Sequence, residues 1–277
     1  PIFDANGKYL VIAESKGHKL YLVADNNVIW QKDIEGDITK VEVNKNGYVS
    51  IVISNTSYKS EIIVYDLNGN EMFNRYLALD YAIDISISED NKYLSIAKAN
   101  FTGTLIQSSI EIFLIETKNN EFNYQAESNK LIVNIEYQEK NKLVCMYDDS
   151  IHIIENNNDT EIMKYDSKNT LFMGIKLDSH IAQIDKISSG LFNSNSSVKF
   201  TNISNNTSNS YELGGVPKAM YSYKDIVAVN LGTEVTFIKA NGWLSKRYKS
   251  NREVQNIILT NSIAGIVYKN KIEIVKL

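Results

Sequence analysis

The chain contains few cysteines, prolines and histidines. Its 277 residues include one cysteine, two prolines and three histidines. A single cysteine excludes an internal disulfide framework, and Cys145 lies in the apolar run LVCMY, which favours an inert buried thiol over a nucleophile. No apolar run approaches the roughly 18 residues of a membrane-spanning helix. The net charge of −4 and the lack of clustered Lys and Arg in the sequence argue against nucleic acid as a partner.

The sequence also lacks the motifs of common enzyme classes. It has no Gly-x-Ser-x-Gly elbow, no Walker motif and no glycine-rich dinucleotide loop. His18, His152 and His180 fall in different parts of the chain and at different strand positions, so we expect no zinc site from them. Neither Asp148-Asp149 nor the Asn-Asn-Asn-Asp run at 156–159 has the alternating ligand spacing of a calcium loop, and both indicate turns instead. We therefore expect no cofactor, no metal and no assignable catalytic residue.

What the sequence does contain is a strand-rich repeat that recurs seven times. The starts of successive apolar runs differ by 40, 44, 50, 38, 45 and 37 residues. A period near 40 with four short strands per period is typical of a β-propeller, in which each period is one blade. The runs are KYLVIAE from Lys8, YVSIVIS from Tyr48, KYLSIAK from Lys92, KLVCMYD from Lys142, HIAQIDK from His180, DIVAVNL from Asp225 and SIAGIVY from Ser262.

The second blade shows the unit most plainly. Its four predicted strands begin at Ile38, Tyr48, Glu61 and Glu71. The middle two are nearly continuous in Val and Ile, as expected of strands buried on both faces between neighbouring blades. The Asn-Gly pair at 68–69 predicts a tight hairpin, because both residues tolerate positive φ.

The sequence therefore predicts an all-β, seven-bladed propeller, WD40-like or quinoprotein-like, with four-stranded antiparallel blades in a single domain spanning 1–277.

In blade five, 188–197 and 204–210 are polar and predict long exposed loops. Trp30 and Trp243 stand near the position that docks blades in quinone-dependent dehydrogenases, but the rest of that repeat is absent and we interpret both as packing residues. The predicted blades cover approximately 1–36, 37–79, 80–129, 130–169, 170–215, 216–253 and 254–277.

The two ends of the chain are irregular. The last blade has three predicted strands and stops at Leu277, which would leave an outer edge unpaired. The segment 4–13 aligns with 88–97, and only Ile2 and Phe3 stand where a full first strand precedes the latter. We expect residues upstream of Pro1, and we expect an N-terminal strand to complete the last blade. Either residues 1–3 or the upstream residues could do so, and we favour the upstream residues.

Two loops between the second and third strands of a blade are unusually long. They span 55–59 in blade two and 100–108 in blade three, and should emerge on the face that also carries the links between blades. Exposed aromatic residues on loops are more informative about binding than aromatic residues of the core. The alternative is that Phe101 and Leu105 fold back as caps over the blade edges. The predicted binding patch consists of Tyr58, Lys59, Tyr81, Phe101, Leu105 and Gln107.

Three passages carry a resemblance to a known family: VNKNGYVSIVISNTSYKSEIIVYDLNGNE from Val43, YAIDISISEDNKYLSIA from Tyr81 and GTLIQSSIEI from Gly103. They resemble a family of uncharacterised clostridial proteins whose members are typically predicted to carry one N-terminal transmembrane helix and an extracytoplasmic propeller. The resemblance implies a Gram-positive origin, a membrane anchor upstream of Pro1 and a location at the outer face of the cell membrane. It implies no catalytic residues.

Residues and resemblance together predict a monomeric, non-catalytic module that binds or scaffolds a protein or cell-wall ligand. The alternative is a cell-envelope hydrolase or lyase acting through carboxylates on the same propeller face. That enzyme would need a central pocket with two carboxylates, at least one with a raised pKa.

Overall fold

The computed structural model describes residues 1–54, 56–138, 142–189 and 193–277. Regular structure in these residues consists of β-strands, and the described part of the chain forms no apolar helix of membrane-spanning length. The chain divides into two compact units, Pro1–Met163 and Lys164–Leu277. Each unit is described below by itself.

The first unit contains four sheets. Among the described residues its strands are β1 (Ile2–Asn6), β2 (Tyr9–Ala13), β3 (Lys19–Ala24), β4 (Asn27–Asp33), β5 (Asp37–Val43), β6 (Val49–Ser54), β7 (Ser60–Tyr65), β8 (Glu71–Leu77), β9 (Tyr81–Ile87), β10 (Tyr93–Asn100), β11 (Gln107–Leu114), β12 (Asn120–Gln125), β13 (Ile132–Gln138), β14 (Lys142–Tyr147), β15 (Ser150–Glu155) and β16 (Asn158–Lys164), whose last residue opens the second unit.

The second unit contains three sheets. Its strands in the described residues are β17 (Thr170–Gly174), β18 (His180–Ser189), β19 (Asn193–Asn202), β20 (Ser208–Leu213), β21 (Ala219–Tyr223), β22 (Ile226–Asn230), β23 (Glu234–Lys239), β24 (Leu244–Lys249), β25 (Asn256–Leu259), β26 (Ile263–Val267) and β27 (Ile272–Lys276).

Every sheet is an antiparallel meander in chain order, and we call each one a blade. Six blades have four strands among the described residues, and the last, β25–β26–β27, has three. The predicted turn at 68–69 joins β7 and β8, but the connection spans residues 66–70 and, of the two predicted residues, Gly69 alone has a positive φ. Gly69 adopts a φ of 81°, and Asp25 and Asn26 adopt 50° and 63°, which are conformations that hairpin turns require. The strands of each blade lie within one of the intervals predicted above, and the single-domain assignment stays a prediction.

The cores lie between adjacent blades. Leu20 and Leu22 of β3 pack in one cluster with Ile51 and Ile53 of β6. In blade two the second and third strands, β6 and β7, are buried on both faces, which explains their continuous apolar runs. In β7 every residue is buried, whereas the outer strand β8 alternates between buried and exposed positions.

Carboxylates on the innermost strands link neighbouring blades of the first unit. The first strand of a blade has one edge without a sheet partner, so its inward amide groups need other acceptors. Asp4 of β1 accepts a hydrogen bond from the backbone N–H of Val43 in β5 at 2.9 Å. Glu42, one residue earlier in β5, accepts the N–H of Ile87 in β9 at 3.3 Å. An acid in one blade thus caps the backbone of the next.

The third such link is the most buried. Asp84 of β9 is 2% exposed and accepts the N–H of Ile135 in β13 at 2.8 Å. The same carboxylate forms an ion pair with Lys40 and accepts from the side chain of Asn134. A buried carboxylate is tolerated because each oxygen has partners.

The first blade differs from the prediction. The five residues of β1 pair with β2 from Ile2↔Ala13 to Asn6↔Tyr9, so the first strand of blade one extends well beyond Ile2 and Phe3. Because residues 2–6 belong to blade one, the alternative in which residues 1–3 complete the last blade is wrong. Completion by residues upstream of Pro1 stays a prediction.

Blade five also differs. Residues 188–197 do not form one long loop, because β18 extends to Ser189 and β19 begins at Asn193, pairing from His180↔Asn202 to Ser189↔Asn193. Backbone ladder pairing does not require apolar side chains, so a sequence rich in Ser and Asn can form a hairpin. Within the second predicted loop, residues 208–210 belong to β20.

Candidate functional site

Exposed aromatic side chains gather on blades two and three. The rings of Tyr58 and Tyr76 lie 4.5 Å apart, and those of Tyr81 and Phe101 lie 6.0 Å apart, measured between centroids. The ammonium of Lys59 sits 5.3 Å from the centroid of the Tyr81 ring. The four rings are 38–49% exposed. We call these five residues the aromatic patch.

Two loops and the start of β9 position the patch. The backbone N–H of Lys59 donates to the carbonyl of Leu77 at 3.0 Å, which holds the loop of blade two against its own outer strand. Asn100 organises the loop of blade three, because its side-chain oxygen accepts from the N–H of Thr102 at 2.9 Å. Its side-chain NH₂ donates to Asp80 at 2.9 Å and fixes that loop beside Tyr81.

An ionic cluster of Lys98, Asp80 and Glu111 lies next to the patch and holds the link before β9 against β10 and β11. Lys98 Nζ lies 2.9 Å from Asp80 and 2.9 Å from Glu111, and the three side chains are 25% exposed or less. Burial disfavours the charged lysine, but its hydrogen bonds to both carboxylates outweigh burial and raise the pKa of Lys98. Partial burial likewise acts to raise the pKa of Asp80, but hydrogen bonds from Lys98 and Asn100 produce a net lowering. Both groups are therefore charged at neutral pH.

The structure brings four of the six predicted site residues together: Tyr58, Lys59, Tyr81 and Phe101. Leu105 is 46% exposed on the loop of blade three but takes no part in these ring contacts. Gln107 is not a loop residue, since it opens β11 and pairs with Asn100. Asn55, the first residue of the predicted loop in blade two, lies outside the described residues.

Sequence reasoning missed Tyr76 and the neighbouring Leu79. Tyr76 is in the outer strand β8 and Leu79, 66% exposed, is in the link to blade three. The sequence signal that could have identified Tyr76 was its position near the end of the outer strand of blade two. Outer strands are exposed on one side, so an aromatic residue near the end of one reaches the loop face.

The cap alternative predicts that Phe101 and Leu105 fold back over the blade. Each retains 46% of its surface, although Phe101 contacts Tyr81. Close to half of each side chain is therefore accessible to a ligand.

A serine, a histidine and an aspartate form a hydrogen-bonded chain in blade four. Ser150 Oγ lies 3.2 Å from His152 Nε2, and His152 Nδ1 lies 2.9 Å from Asp159 Oδ2. This order matches the relay of serine hydrolases, and the sequence did not reveal it because Asp159 comes from the next strand. Ser150, however, is 3% exposed and its hydroxyl donates to Asp149 at 3.0 Å. A buried nucleophile cannot reach a substrate carbonyl. We therefore interpret these hydrogen bonds as structural contacts that connect β15 to β16.

The carboxyl groups with shifted pKa values do not suit a general acid. Asp66, Asp80, Glu253 and Glu273 all have lowered pKa values in the described residues. A glycosidase-type acid needs a raised pKa to hold its proton at neutral pH. The described residues also include no cluster of three His, Cys, Asp or Glu side chains that could hold a metal ion.

The two tryptophans differ. Trp30 packs against the core of blades one and two and donates its indole N–H to the carbonyl of Leu67 at 3.1 Å, as a packing residue does. Trp243 is 74% exposed on the turn before β24, so its interpretation as a packing residue was wrong.

Cys145 is fully buried, and burial raises the pKa of its thiol well above the ordinary value. That environment is typical of an unreactive cysteine.

Charge is divided unevenly between the units. Residues 1–163 contain 25 acidic and 14 basic residues, whereas residues 164–277 contain 8 acidic and 15 basic ones. In the second unit a pocket of about 350 Å³ is lined by Tyr248, Lys249, Arg252 and Lys271, with Glu273 as its carboxylate. The net charge of the whole chain does not reveal this cationic region, because the acidic first unit offsets the basic second unit.

The full chain, residues 1–277, matches a family described as "Family of unknown function (DUF5711)". The chain belongs to DUF5711. No curated protein matches this DUF5711 chain.

Solved structures share the architecture of the DUF5711 chain at low sequence identity. The dihydro-heme d1 dehydrogenase NirN in complex with DHE is 10% identical with a TM-score of 0.63, and the match covers 94% of this chain and 57% of that one. A chain of the mitotic checkpoint complex is 10% identical with a TM-score of 0.64, covering 100% and 86%. The Neurospora crassa Pan2 WD40 domain is 8% identical with a TM-score of 0.63, covering 95% and 84%. The chain thus spans little more than half of the dehydrogenase chain.

These similarities show the fold alone. With the seven meanders, they show an all-β, seven-bladed, WD40-like propeller whose last blade has three strands in the described residues. The predicted fold class is confirmed. The predicted membership of a family of unknown function is confirmed as well.

Proposed function

We propose that this propeller is a non-catalytic binding module and that the aromatic patch is its ligand-contacting surface. The observation that carries the proposal is the joint exposure of Tyr58, Tyr76, Tyr81 and Phe101 on two adjacent blades. Contiguous exposed apolar patches mark interaction sites, whereas apolar residues scattered singly over a surface need no explanation. Loops held by a rigid scaffold are the usual place for such sites.

The patch is organised before any ligand arrives. The ring pairs and the Lys59–Tyr81 contact limit side-chain motion, and the Lys98 cluster fixes the link between the blades. Binding then loses less conformational entropy than it would on a flexible loop. A ligand that covers the patch would bury aromatic faces with hydrogen-bonding groups nearby, which suits either a protein or a glycan of the cell wall.

The location is part of the same proposal. We place the module at the outer face of the cell membrane of a Gram-positive, clostridial bacterium, held by an anchor upstream of Pro1 and acting as a monomer. The support is the family resemblance over blades two and three. Treating intact cells with a membrane-impermeant lysine reagent would label the protein as strongly as in lysed cells. Labelling that requires lysis would contradict the location.

The binding surface can be tested by co-sedimentation with purified cell-wall sacculi and with washed envelope membranes. The variant Tyr58→Ala/Phe101→Ala should lose at least ten-fold in affinity, because it removes one ring from each pair. Trp243→Ala is the control, since it removes an aromatic side chain that is even more exposed, at 74%, from the other unit. Equal binding by wild type and by the double variant, with thermal unfolding unchanged, would refute the site.

A further inference from the structure

A pocket of about 290 Å³ opens between blades three and four of the first unit. Both blades have four strands in the described residues, so strands of complete blades form both of its walls. The pocket lies at the opposite end of β10 from the aromatic patch, because Tyr93 of the pocket begins that strand and Asn100 ends it.

The floor of the pocket is apolar and aromatic. Ile112, Tyr137 and Ile154 line it, and each of them is at most 9% exposed. The hydroxyl of Tyr137 accepts a hydrogen bond from Ser95 at 2.8 Å, which holds the tyrosine ring in place. A pocket with buried apolar walls and a few polar groups is the usual form of a small-molecule site.

The mouth of the pocket is polar and negatively charged. Glu121 lines it together with Tyr93 and Asn156, and Glu121 is the charged residue of the lining in the described part of the chain. A carboxylate and an amide oxygen both accept hydrogen bonds, and the face of a tyrosine ring attracts a cation. The first unit as a whole contains 25 acidic and 14 basic residues, so its field also attracts cations.

A β-bulge aims Glu121 at the pocket. Across the ladder between β11 and β12, Ile112 pairs with Phe122. The next residue, Phe113, pairs with Asn120, so Glu121 is the extra residue of β12. A bulge of this kind bends the strand and re-aims side chains. Glu121 therefore lines the pocket beside Ile112 instead of alternating away from Phe122.

The same bulge position holds uncharged residues in other blades. The extra residues are Ile29 in blade one, Met72 in blade two and Ser245 in blade six. Met72 packs against the core between blades two and three. Blade three thus places an exposed carboxylate where blade two places an apolar side chain that fills the core. This difference favours a ligand whose positive charge complements Glu121.

We propose that this pocket binds a small organic amine, which is a molecule with an apolar or aromatic body and a protonated amino group. Ile112, Tyr137 and Ile154 enclose the body, and the ammonium pairs with Glu121 at the mouth. A hydrogen bond between an ammonium and a carboxylate is stronger than one between neutral groups. The pocket should therefore select an amine over a neutral or anionic molecule of the same shape. The site is independent of the aromatic patch.

The probes are phenethylamine, phenethyl alcohol and phenylpropanoate, which share a phenyl ring and differ in charge. Ligand-observed NMR titrations with the whole chain at neutral pH and low ionic strength measure their affinities. The amine should bind about ten-fold more tightly than the alcohol, and phenylpropanoate more weakly than both. Equal affinity for the amine and the alcohol, or binding of neither, would overturn the proposal.

Two substitutions of Glu121 test the position of the site. Glu121→Gln keeps the size of the side chain but removes its charge, so this variant should bind the amine and the alcohol equally well. Glu121→Met introduces the residue type of blade two and should bind neither probe, because its side chain packs into the pocket. Its thermal unfolding midpoint should not fall below that of the wild type.

Glu116→Gln is the matched control. It removes an exposed carboxylate that precedes β12 and lies outside the pocket lining, so it should bind all three probes as the wild type does. A preference for the amine that survives Glu121→Gln, or binding that survives Glu121→Met, would refute the site. An equal loss of preference in Glu116→Gln would refute it as well, because the selection would then come from the charge of the whole unit.

Discussion

Replacing Asp84 by alanine should destabilise the first unit strongly, because this buried carboxylate has partners in three blades. It accepts the N–H groups of Ile85 and Ile135, each at 2.8 Å, and is paired with Lys40. A hydrogen bond to a charged group contributes about 1.5–3 kcal/mol, and breaking a buried ion pair costs about 3–5 kcal/mol. Lys40 is 35% exposed and can be hydrated, so we expect a loss near the lower limit, about 3–4 kcal/mol.

Thermal unfolding followed by circular dichroism measures this loss. For a domain of this size about 1 kcal/mol corresponds to roughly 2–4 °C, so the midpoint should fall by about 6–16 °C. Asp84→Asn keeps one acceptor oxygen and should lose less than Asp84→Ala. The control is Glu89→Ala, which removes another ion pair between blades two and three, made with Lys45 and exposed to solvent. Such pairs contribute about 0–1 kcal/mol. Equal midpoints for Asp84→Ala and Glu89→Ala would refute the role given to burial.

Three further predictions concern pH, backbone strain and thiol reactivity. The pKa of Asp80 is lowered in the folded protein, so its contribution to stability should be complete above the unfolded pKa near 3.9 and be lost as pH falls through the folded value. Urea titrations should therefore show that Asp80→Asn costs stability at pH 7 and progressively less below pH 4; a pH-independent cost would contradict this. Gly47→Ala should cost about 1–3 kcal/mol in urea unfolding, more than Gly7→Ala, because both positions have positive φ but a Cβ at Gly47 would meet Leu67 at 2.7 Å and one at Gly7 meets nothing within 4 Å. Cys145 should react with Ellman's reagent only after unfolding, and rapid labelling of the native protein would show that its strand opens.

The blade pattern could be predicted from the sequence because it depends on local chemistry. Continuous Val and Ile runs mark strands buried on both faces, and Asn-Gly or Asp-Asn pairs mark the turns between them. The same reasoning failed at 188–197, where Ser and Asn suggest loops. Ladder hydrogen bonds use backbone atoms, so a polar sequence can also form a hairpin.

The candidate sites were only partly predictable. Tyr58, Lys59, Tyr81 and Phe101 could be identified, because long loops that follow adjacent blades emerge on one face. Tyr76 could not, since its exposure depends on which side of the outer strand meets the neighbouring loop.

The sequence by itself determined the number of blades and the apolar runs that form the cores, because strand formation and turn chemistry depend on neighbours a few residues apart. Only the tertiary structure decided which polar groups meet: the carboxylates of Asp4, Glu42 and Asp84 on the next blade, and the buried serine behind His152. It also decided that β1 pairs with β2 and so belongs to blade one. Those contacts join residues of different strands and blades, and their partners depend on register and packing, which the alternation of residues along a strand does not specify.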